Sequence, residues 1–356
     1  MKYFTVGPTE PHFSFREFLN EALKKDIPSL SHRSLEFAEL FKTLAKNIKK
    51  LFRAPNNFEV VFLGSSTEFM ERSIQNLSTK ETLHFVNGAF AGRCAELAKL
   101  AGRKTTIIIG RIDGTFSLED IPEKINPEII FFVHNETSSG TKIPKKFFLE
   151  VMEKFPDSLF VCDVVSSAPV CDIPIKKLDL TYLSVQKSFG LPAGLGVGIL
   201  SPRAIEAAKK IEVSKQNINI FHSFIEMSKD AKIGKTKETP NVLLIFLLNK
   251  VVENYLKIGV KKMQEETIVK SKLLVEALQK VKILNFPNIK SGWRSETVLV
   301  AETPKGSKDI VEKLKKMGFL IAAGYGREKD YKIRIANFPQ HTETEVKKLI
   351  KNLLRL

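Results

Sequence analysis

Short apolar runs alternate with amphipathic helical patterns from about residue 59 to residue 200. Apolar runs of about four to eight residues, bounded by glycine or polar turn residues, are typical of buried strands. Such runs occur at Glu59–Leu63, Thr82–Val86, Lys104–Ile109, Glu128–Val133 and Ser158–Asp163. Because helical patterns separate these runs, we predict an α/β layered fold with a largely parallel sheet covered by helices.

The C-terminal third has a different organisation, with two long helices followed by mixed elements. We predict helices at Val242–Leu256, Val260–Val281, Asp309–Met317 and Glu343–Leu354, and strands near Thr297–Val300, Phe319–Ala322 and Tyr331–Ala336. The region Ile211–Lys237 has a less regular pattern. With 356 residues the chain is long enough for two domains. We expect an N-terminal segment at 1–15 that associates with the small domain or an interface, a large domain at 16–240, and linking helices with a small α+β domain at 241–356.

The net charge of +16 raises the possibility of a non-catalytic basic protein that binds nucleic acid. The excess lysines are scattered over predicted helix faces, as in Lys42–Lys50 and Lys261–Lys272. No basic stripe interleaved with aromatic residues is evident. We therefore interpret the charge as a solvated surface and expect no nucleic-acid partner.

Neither a membrane span nor a metal site is predicted. The longest strongly apolar run, Val242–Leu248, is too short to cross a bilayer, and the N-terminus does not resemble a signal peptide. The three cysteines, Cys94, Cys162 and Cys171, lack metal-ligand spacing. An odd, sparse set of cysteines fits a reducing compartment, so we expect a cytoplasmic protein with no membrane association and no metal.

Lys187 stands where an apolar run ends and a glycine-rich loop begins. Desolvation at such a position lowers the pKa of an amine, which favours Schiff-base formation, although a lone lysine there can also simply reach water. Asp163 ends the preceding apolar run, and the carboxyl ends of parallel strands face one crevice. An amine and a carboxylate converging there are what pyridoxal phosphate requires, the amine for its aldehyde and the carboxylate for its pyridine nitrogen.

Other polar side chains follow strands in the same series. In the turn Gly64–Thr67, Ser66 and Thr67 can donate to a phosphate or can simply cap a helix. Phe90 can stack on a heteroaromatic ring or pack in the core, and Thr137 can donate to a ring oxygen.

Two arginines have unusual positions. Arg334 lies inside an apolar strand and therefore needs an anionic partner, either a substrate carboxylate or a structural Asp or Glu. Arg33 precedes a predicted helix start, where a cation opposes the helix dipole. It either meets an anion or is solvated on a loop.

Taken together, these motifs resemble the class V aminotransferases of the fold-type-I pyridoxal phosphate enzymes, in particular the phosphoserine aminotransferase-like members. The resemblance covers nearly the whole chain and rests on motifs in the family's order: Ser31–Phe37, Gly64–Thr67, Asn87–Phe90, Asn135–Gly140, Asp163–Ser167, Ser184–Lys187, Thr239–Asn241 and Arg334. It implies a large domain with a mostly parallel seven-stranded sheet flanked by helices, and a smaller α+β C-terminal domain.

The resemblance also implies roles for individual residues. Lys187 would carry the cofactor as a Schiff base and move the substrate's α-proton, and Asp163 would hold the pyridinium. The implied cofactor-binding set is Ser66, Thr67, Phe90, Thr137, Asp163, Gln186, Lys187 and, from the other subunit of a homodimer, Thr239. The implied substrate-binding set is Arg334 for the α-carboxylate, with His32 and Arg33 of the partner subunit for a phosphate.

Two departures from the family pattern bear on the substrate. The cofactor-phosphate loop, Gly64–Thr67, lacks the arginine of many phosphoserine aminotransferases and is closer to the alanine–glyoxylate and serine–glyoxylate branch. Gly324–Arg327 replaces a familiar His-Arg pair, so Arg327 is a further candidate for the side-chain phosphate. Cysteine desulfurases fit less well, since they have His where this chain has Phe90 and Gln186.

From these features we predict a ping-pong transaminase, in which pyridoxamine phosphate forms between the two half-reactions. It would act on O-phosphoserine and 2-oxoglutarate, or on glutamate and 3-phosphohydroxypyruvate in the direction of serine biosynthesis. The alternative is an alanine– or serine–glyoxylate aminotransferase.

Overall fold

Two main β-sheets and the helices packed against them make up the structure, a computed structural model that describes residues 1–214 and 220–356. The strands in this part of the chain are β1 (Lys2–Phe4), β2 (Glu59–Leu63), β3 (Glu81–Val86), β4 (Lys104–Ile109), β5 (Ile129–Val133), β6 (Asn135–Glu136), β7 (Thr141–Lys142), β8 (Leu159–Asp163), β9 (Leu180–Ser184), β10 (Gly196–Leu200), β11 (Val298–Glu302), β12 (Phe319–Ala323) and β13 (Lys332–Ala336). The α-helices are α1 (Phe15–Lys24), α2 (Leu35–Phe52), α3 (Ser66–Leu77), α4 (Ala89–Leu100), α5 (Lys145–Lys154), α6 (Pro202–Val213), α7 (Phe224–Lys232), α8 (Val242–Ile258), α9 (Val260–Lys280), α10 (Lys308–Lys316) and α11 (Glu343–Leu353).

The large sheet has seven strands in the order β2-β10-β9-β8-β5-β3-β4. All of its strands are parallel except β10, which runs antiparallel to both neighbours. Every residue of β5, β8, β9 and β10 is buried, as expected for strands covered on both faces. The sheet is therefore the mostly parallel seven-stranded sheet that the family resemblance implies.

The small sheet has the order β1-β12-β13-β11, and the N-terminal strand β1 pairs with β12 in parallel. Phe4 of β1 lies in one apolar cluster with Leu278 of α9, Leu314 of α10 and Leu349 of α11. The first residues of the chain thus pack with its C-terminal part. The domain limits at residues 15 and 240 remain predictions.

Most predicted elements occur within two residues of their predicted bounds, and the differences have local causes. Helix α3 begins at Ser66, inside the predicted turn Gly64–Thr67, because the Ser65 hydroxyl caps it by accepting the N–H of Glu68 at 3.2 Å. The region predicted to be less regular contains the end of α6 and all of α7. Helix α7 is stabilised by burial of its apolar face, which includes Phe224 and Met227. Residues 215–219 of that region lie outside the described residues.

None of the helices within residues 1–214 and 220–356 combines the length and the apolar character that a membrane span requires.

Candidate active site

The carboxyl ends of β5, β8 and β9 open into a cavity of about 250 Å³. This is the edge at which an open parallel sheet presents its loops to ligands. Eight of the twelve predicted site residues line the cavity: Ser66, Thr67, Phe90, Thr137, Asp163, Gln186, Lys187 and Arg334. Residues far apart in sequence are therefore brought together as predicted.

Lys187 lies in the loop after β9 and is only 7% exposed. Its Nζ donates hydrogen bonds to the hydroxyls of Thr137 at 2.8 Å and Ser166 at 2.6 Å, and these two hydroxyls also bond to each other. Burial lowers the pKa of the Lys187 amine, while the nearby Asp163 carboxylate acts in the opposite direction. An amine held by neutral hydroxyls in a buried site is suited to act as a nucleophile.

Gly7 forms the backbone wall beside this lysine. A Cβ atom at Gly7 would lie 3.0 Å from Cγ of Lys187, and the φ angle of Gly7 is +128°. Both the close approach and the backbone conformation therefore favour glycine at this position.

Asp163 is the last residue of β8, and its carboxylate is buried at the floor of the cavity. Its Oδ1 accepts the N–H of Val165 at 2.8 Å, and burial raises the pKa of the carboxyl group. No described residue forms a salt bridge with Asp163 at 4.0 Å or less. The carboxylate is thus available to a cationic or protonated group in the cavity.

The first turn of α3 forms another side of the cavity. Ser65 uses its hydroxyl to cap the helix, whereas the backbone N–H groups and hydroxyls of Ser66 and Thr67 form no hydrogen bond within the described chain. The amide oxygen of Gln186 is likewise buried without a partner. Free N–H groups at a helix start are favourable for a phosphate.

Phe90, at the start of α4, lies beside the amine of Lys187. The centre of its ring is 5.2 Å from Nζ of Lys187. The buried Glu136 carboxylate accepts the backbone N–H groups of Phe90 at 3.1 Å and Ala91 at 3.0 Å, and so fixes this end of the helix. Phe90 therefore has a defined position on one face of the cavity.

Arg334, on β13, is buried but forms no salt bridge with a described carboxylate. Its Nε donates to the carbonyl of Ala323 at 2.8 Å and its Nη2 to the carbonyl of Gly324 at 3.3 Å. These bonds orient the guanidinium, and the buried Glu136 carboxylate acts on it only electrostatically, without a direct salt bridge. The alternative of a structural Asp or Glu paired directly with Arg334 therefore does not hold for this chain. The free charge suits a ligand carboxylate.

A second guanidinium, that of Arg93 on α4, lines the same cavity. Its Nη2 donates to the hydroxyl of Tyr325 at 2.6 Å, and its guanidinium carbon is 5.4 Å from the centre of the Phe90 ring. The Tyr325 ring centre is in turn 5.5 Å from the guanidinium carbon of Arg334.

Four predicted site residues do not line this cavity. His32 and Arg33 lie in the turn before α2, Thr239 is exposed just before α8, and Arg327 is exposed in the short 3-10 helix Gly326–Glu328. For the first three, the predicted contribution comes from a partner subunit, so their roles remain predictions.

Sequence reasoning assigned no role to several residues that complete the site. Ser166 belongs to the motif Asp163–Ser167 and could have been noticed there. Arg93 follows Phe90 by three residues, which places both on one side of a helix. Tyr325 and Glu136 come from other segments, and no local signal indicated that they contact these groups.

Comparison with known proteins agrees with this geometry. A family model described as aminotransferase class-V matches residues 14–334. The crystal structure of a phosphoserine aminotransferase from Cytophaga hutchinsonii is similar with a TM-score of 0.95 and 38% sequence identity, covering 99% of this chain and 98% of that one.

Two curated sequences represent the two substrate branches. A phosphoserine aminotransferase from Corynebacterium glutamicum is 27% identical over 63% of this chain and 58% of its own length. Alanine–glyoxylate aminotransferase 1 from Saccharomyces cerevisiae is 26% identical over 87% of this chain and 86% of its own length. Because the family model spans most of the chain and the fold and cavity agree with it, this protein is an aminotransferase that belongs to the class-V family of fold type I.

Proposed function

We propose that this aminotransferase uses pyridoxal phosphate to transfer the amino group of O-phosphoserine to 2-oxoglutarate, and that of glutamate to 3-phosphohydroxypyruvate in reverse. The observation that carries the proposal is the presence of Lys187, Asp163 and Arg334 in one cavity. An amine, a buried carboxylate and a guanidinium without a direct salt bridge are the groups needed to hold the cofactor at both ends of its ring and an amino acid beside it.

Class-V aminotransferases depend on pyridoxal phosphate, and the residues of this chain fit that group. The free N–H groups and hydroxyls of Ser66 and Thr67, together with Gln186, would hold its phosphate. Asp163 would pair with the pyridine nitrogen, and Lys187 would hold the aldehyde carbon. When bound, the cofactor supplies a ring that accepts the electron pair left behind when the substrate loses its α-proton.

Thr137 and Phe90 would complete the cofactor site. Phe90 would stack on one face of the ring, since its own ring already lies 5.2 Å from Nζ of Lys187. The hydroxyl of Thr137, which Lys187 contacts at 2.8 Å, would then be free to donate to the ring oxygen.

The chain's own groups would move the proton and hold the substrate. Nζ of Lys187 would accept the α-proton and return it to a neighbouring carbon, while the Ser166 hydroxyl would keep the amine aimed into the cavity. Arg334 would bind the α-carboxylate with two N–H groups, because its backbone contacts fix the plane of the guanidinium.

The choice of an anionic substrate is supported by similarity and by charge. The Cytophaga hutchinsonii phosphoserine aminotransferase is 38% identical to this chain over nearly its whole length. His32 and Arg33, which the resemblance associates with a phosphate, lie outside the cavity of their own chain. We therefore infer a homodimer in which each subunit supplies these residues, and Thr239 for the cofactor phosphate, to the other.

Similarity to an alanine–glyoxylate aminotransferase supports the alternative of a small neutral substrate. The turn Gly64–Thr67 also agrees with that branch, because it has no arginine. Specificity for a neutral side chain would make additional cations near the substrate unnecessary. The two alternatives therefore differ in whether a side-chain anion is recognised.

A half-reaction screen tests the proposal. The cofactor-loaded enzyme is mixed separately with O-phosphoserine, glutamate, alanine and serine, and conversion to the pyridoxamine form is followed by absorbance. We expect O-phosphoserine and glutamate to react fastest. Much faster reaction with alanine or serine would refute the phosphoserine assignment while leaving the aminotransferase assignment intact.

The role of Lys187 is tested with two variants. Lys187→Ala should lose the absorbance of the lysine-bound cofactor, whereas Lys176→Ala, which changes an exposed lysine, should keep it. Retention of that absorbance in Lys187→Ala would overturn the assignment of the cofactor-binding amine.

A further inference from the structure

Arg93 places a second free cation in the cavity that contains Arg334. Its described hydrogen bond is to the neutral hydroxyl of Tyr325, and neither guanidinium has a salt bridge within residues 1–214 and 220–356. Arg93 is only partly exposed, so its charge is not fully solvated. A half-buried guanidinium that faces a cavity without a carboxylate partner is suited to bind an anionic group of a ligand.

The two arginines are held at different places around one aromatic ring. The hydroxyl of Tyr325 accepts from Arg93 at 2.6 Å, while the ring centre of Tyr325 is 5.5 Å from the guanidinium carbon of Arg334. Tyr325 thus separates the two cations within the cavity. Two cations separated in this way can bind the two ends of one doubly anionic molecule.

Arg93 and the Lys187 amine both line the cavity and both lie over the ring of Phe90. The guanidinium carbon of Arg93 lies 5.4 Å from the centre of the Phe90 ring, and Nζ of Lys187 lies 5.2 Å from the same point. A substrate whose amino group reaches Lys187 therefore occupies a cavity whose wall includes Arg93.

We propose that Arg93 binds the side-chain anion of the substrate, the phosphate of O-phosphoserine or the side-chain carboxylate of glutamate, while Arg334 binds the α-carboxylate. This inference rests on the proposed function. Tyr325 is a positioning residue: its hydroxyl uses one N–H of Arg93 and leaves the others for the anion. The role that the resemblance gives to cations of the partner subunit is thereby shared with a residue of the same chain.

The test compares KM and kcat for O-phosphoserine, glutamate and alanine in the cofactor-loaded enzyme. In Arg93→Gln we expect KM for the two anionic substrates to rise about tenfold or more, because a charged hydrogen-bond pair is lost. The second-order rate constant of the half-reaction with alanine, which has no side-chain anion and is followed without a keto-acid acceptor, should not change. Tyr325→Phe should produce a smaller rise for the same two substrates, and Arg93→Lys should restore part of the affinity.

Two further variants serve as controls. Lys99→Gln removes a charge from an exposed position of the same helix and should leave all three substrates unaffected. Arg33→Gln measures how much the predicted partner contribution adds.

Specific outcomes would overturn the inference. If Arg93→Gln impairs the reaction with alanine as much as the reaction with O-phosphoserine, and Arg93→Lys restores neither, then Arg93 only supports Phe90. If Arg93→Gln leaves both anionic substrates unchanged while Arg33→Gln weakens them, the side-chain anion is bound by other cations. Failure of the proposed function would instead appear in the unmodified enzyme, as poor reaction with O-phosphoserine. In that case, the role of Arg93 is decided by comparing KM for glutamate between the unmodified enzyme and Arg93→Gln.

Discussion

Glu136 is a fully buried carboxylate that holds the start of α4, and we predict that replacing it destabilises the active site. Its Oε2 accepts the backbone N–H groups of Phe90 at 3.1 Å and Ala91 at 3.0 Å. Its Oε1 accepts the N–H of Ser138 at 3.0 Å and the hydroxyl of the same residue at 2.7 Å. The N-cap residue of α4 is Gly88, which has no side chain, so Glu136 satisfies N–H groups that would otherwise lack partners.

The magnitude follows from the three bonds that backbone N–H groups donate to Glu136. In Glu136→Gln the amide oxygen can still accept from Phe90 and Ala91, but the amide nitrogen cannot accept the N–H of Ser138. Loss of that bond and weakening of the other two, now to a neutral acceptor, should cost about 3 kcal/mol of the free energy of unfolding. Glu136→Ala leaves all three backbone N–H groups without this acceptor and should cost about 5 kcal/mol.

Urea unfolding and amide hydrogen exchange measure the effect. We expect the stability order wild type, Glu136→Gln, Glu136→Ala, with faster exchange at the amides of Phe90 and Ala91 in both variants. Glu312→Gln makes the same charge change at an exposed position of α10 and should stay within about 0.5 kcal/mol of wild type.

The reasoning is refuted if Glu136→Gln also stays within about 0.5 kcal/mol and the amides of Phe90 and Ala91 keep their protection. In that case the start of α4 would be held by helix packing rather than by the buried carboxylate.

Three further predictions concern pH, catalysis and packing. Burial lowers the pKa of His84 and His134 to about 3, so at acidic pH the unfolded chain binds protons that the folded chain excludes. The free energy of unfolding should therefore fall as the pH decreases from about 6.5 towards 3, by up to about 1.4 kcal/mol per pH unit for each histidine. In urea unfolding, His84→Gln should reduce this dependence on pH. Asp163→Asn should lower kcat about a hundredfold or more with the cofactor still bound, as checked by absorbance, and near-normal turnover would refute its role. Gly190→Ala should lower the melting temperature markedly, because its Cβ would lie 2.3 Å from the backbone N of His12 at a φ of +59°, whereas Gly102→Ala, with φ of +74° and no atom within 4 Å, should show only the smaller backbone effect.

The fold and the convergence of Asp163 with Lys187 could be predicted because their signals are local. Fully apolar runs indicate strands covered on both faces, and β8 and β9 were both visible in this way. Since β8 and β9 are parallel neighbours with Asp163 paired to Tyr182, residues at their carboxyl ends must lie near each other. The convergence of Asp163 and Lys187 thus follows from the strand order in the structure. The α/β pattern implied only that both side chains lie at the same edge of the sheet.

Helix α7 was missed for the opposite reason. It has nine residues, and its polar positions weaken the helical pattern in the sequence. Its stability comes from burying Phe224 and Met227 against a core that other segments provide. Such a helix is stabilised by tertiary packing and cannot be predicted from its own residues alone.

The two arginines of the cavity differ in the same way. Arg334 could be identified from the sequence because its neighbours are apolar. They indicate a buried strand, in which an unpaired charge is energetically costly. Arg93 lies on a helix, where an arginine is ordinary, and its environment depends on Tyr325, which is 232 residues away in sequence. The sequence therefore identifies a candidate binding cation when adjacent residues already indicate that its charge is buried. The structure is needed when a segment distant in sequence buries it. His32, Arg33 and Thr239 are the limiting case, since the segments predicted to surround them belong to another subunit.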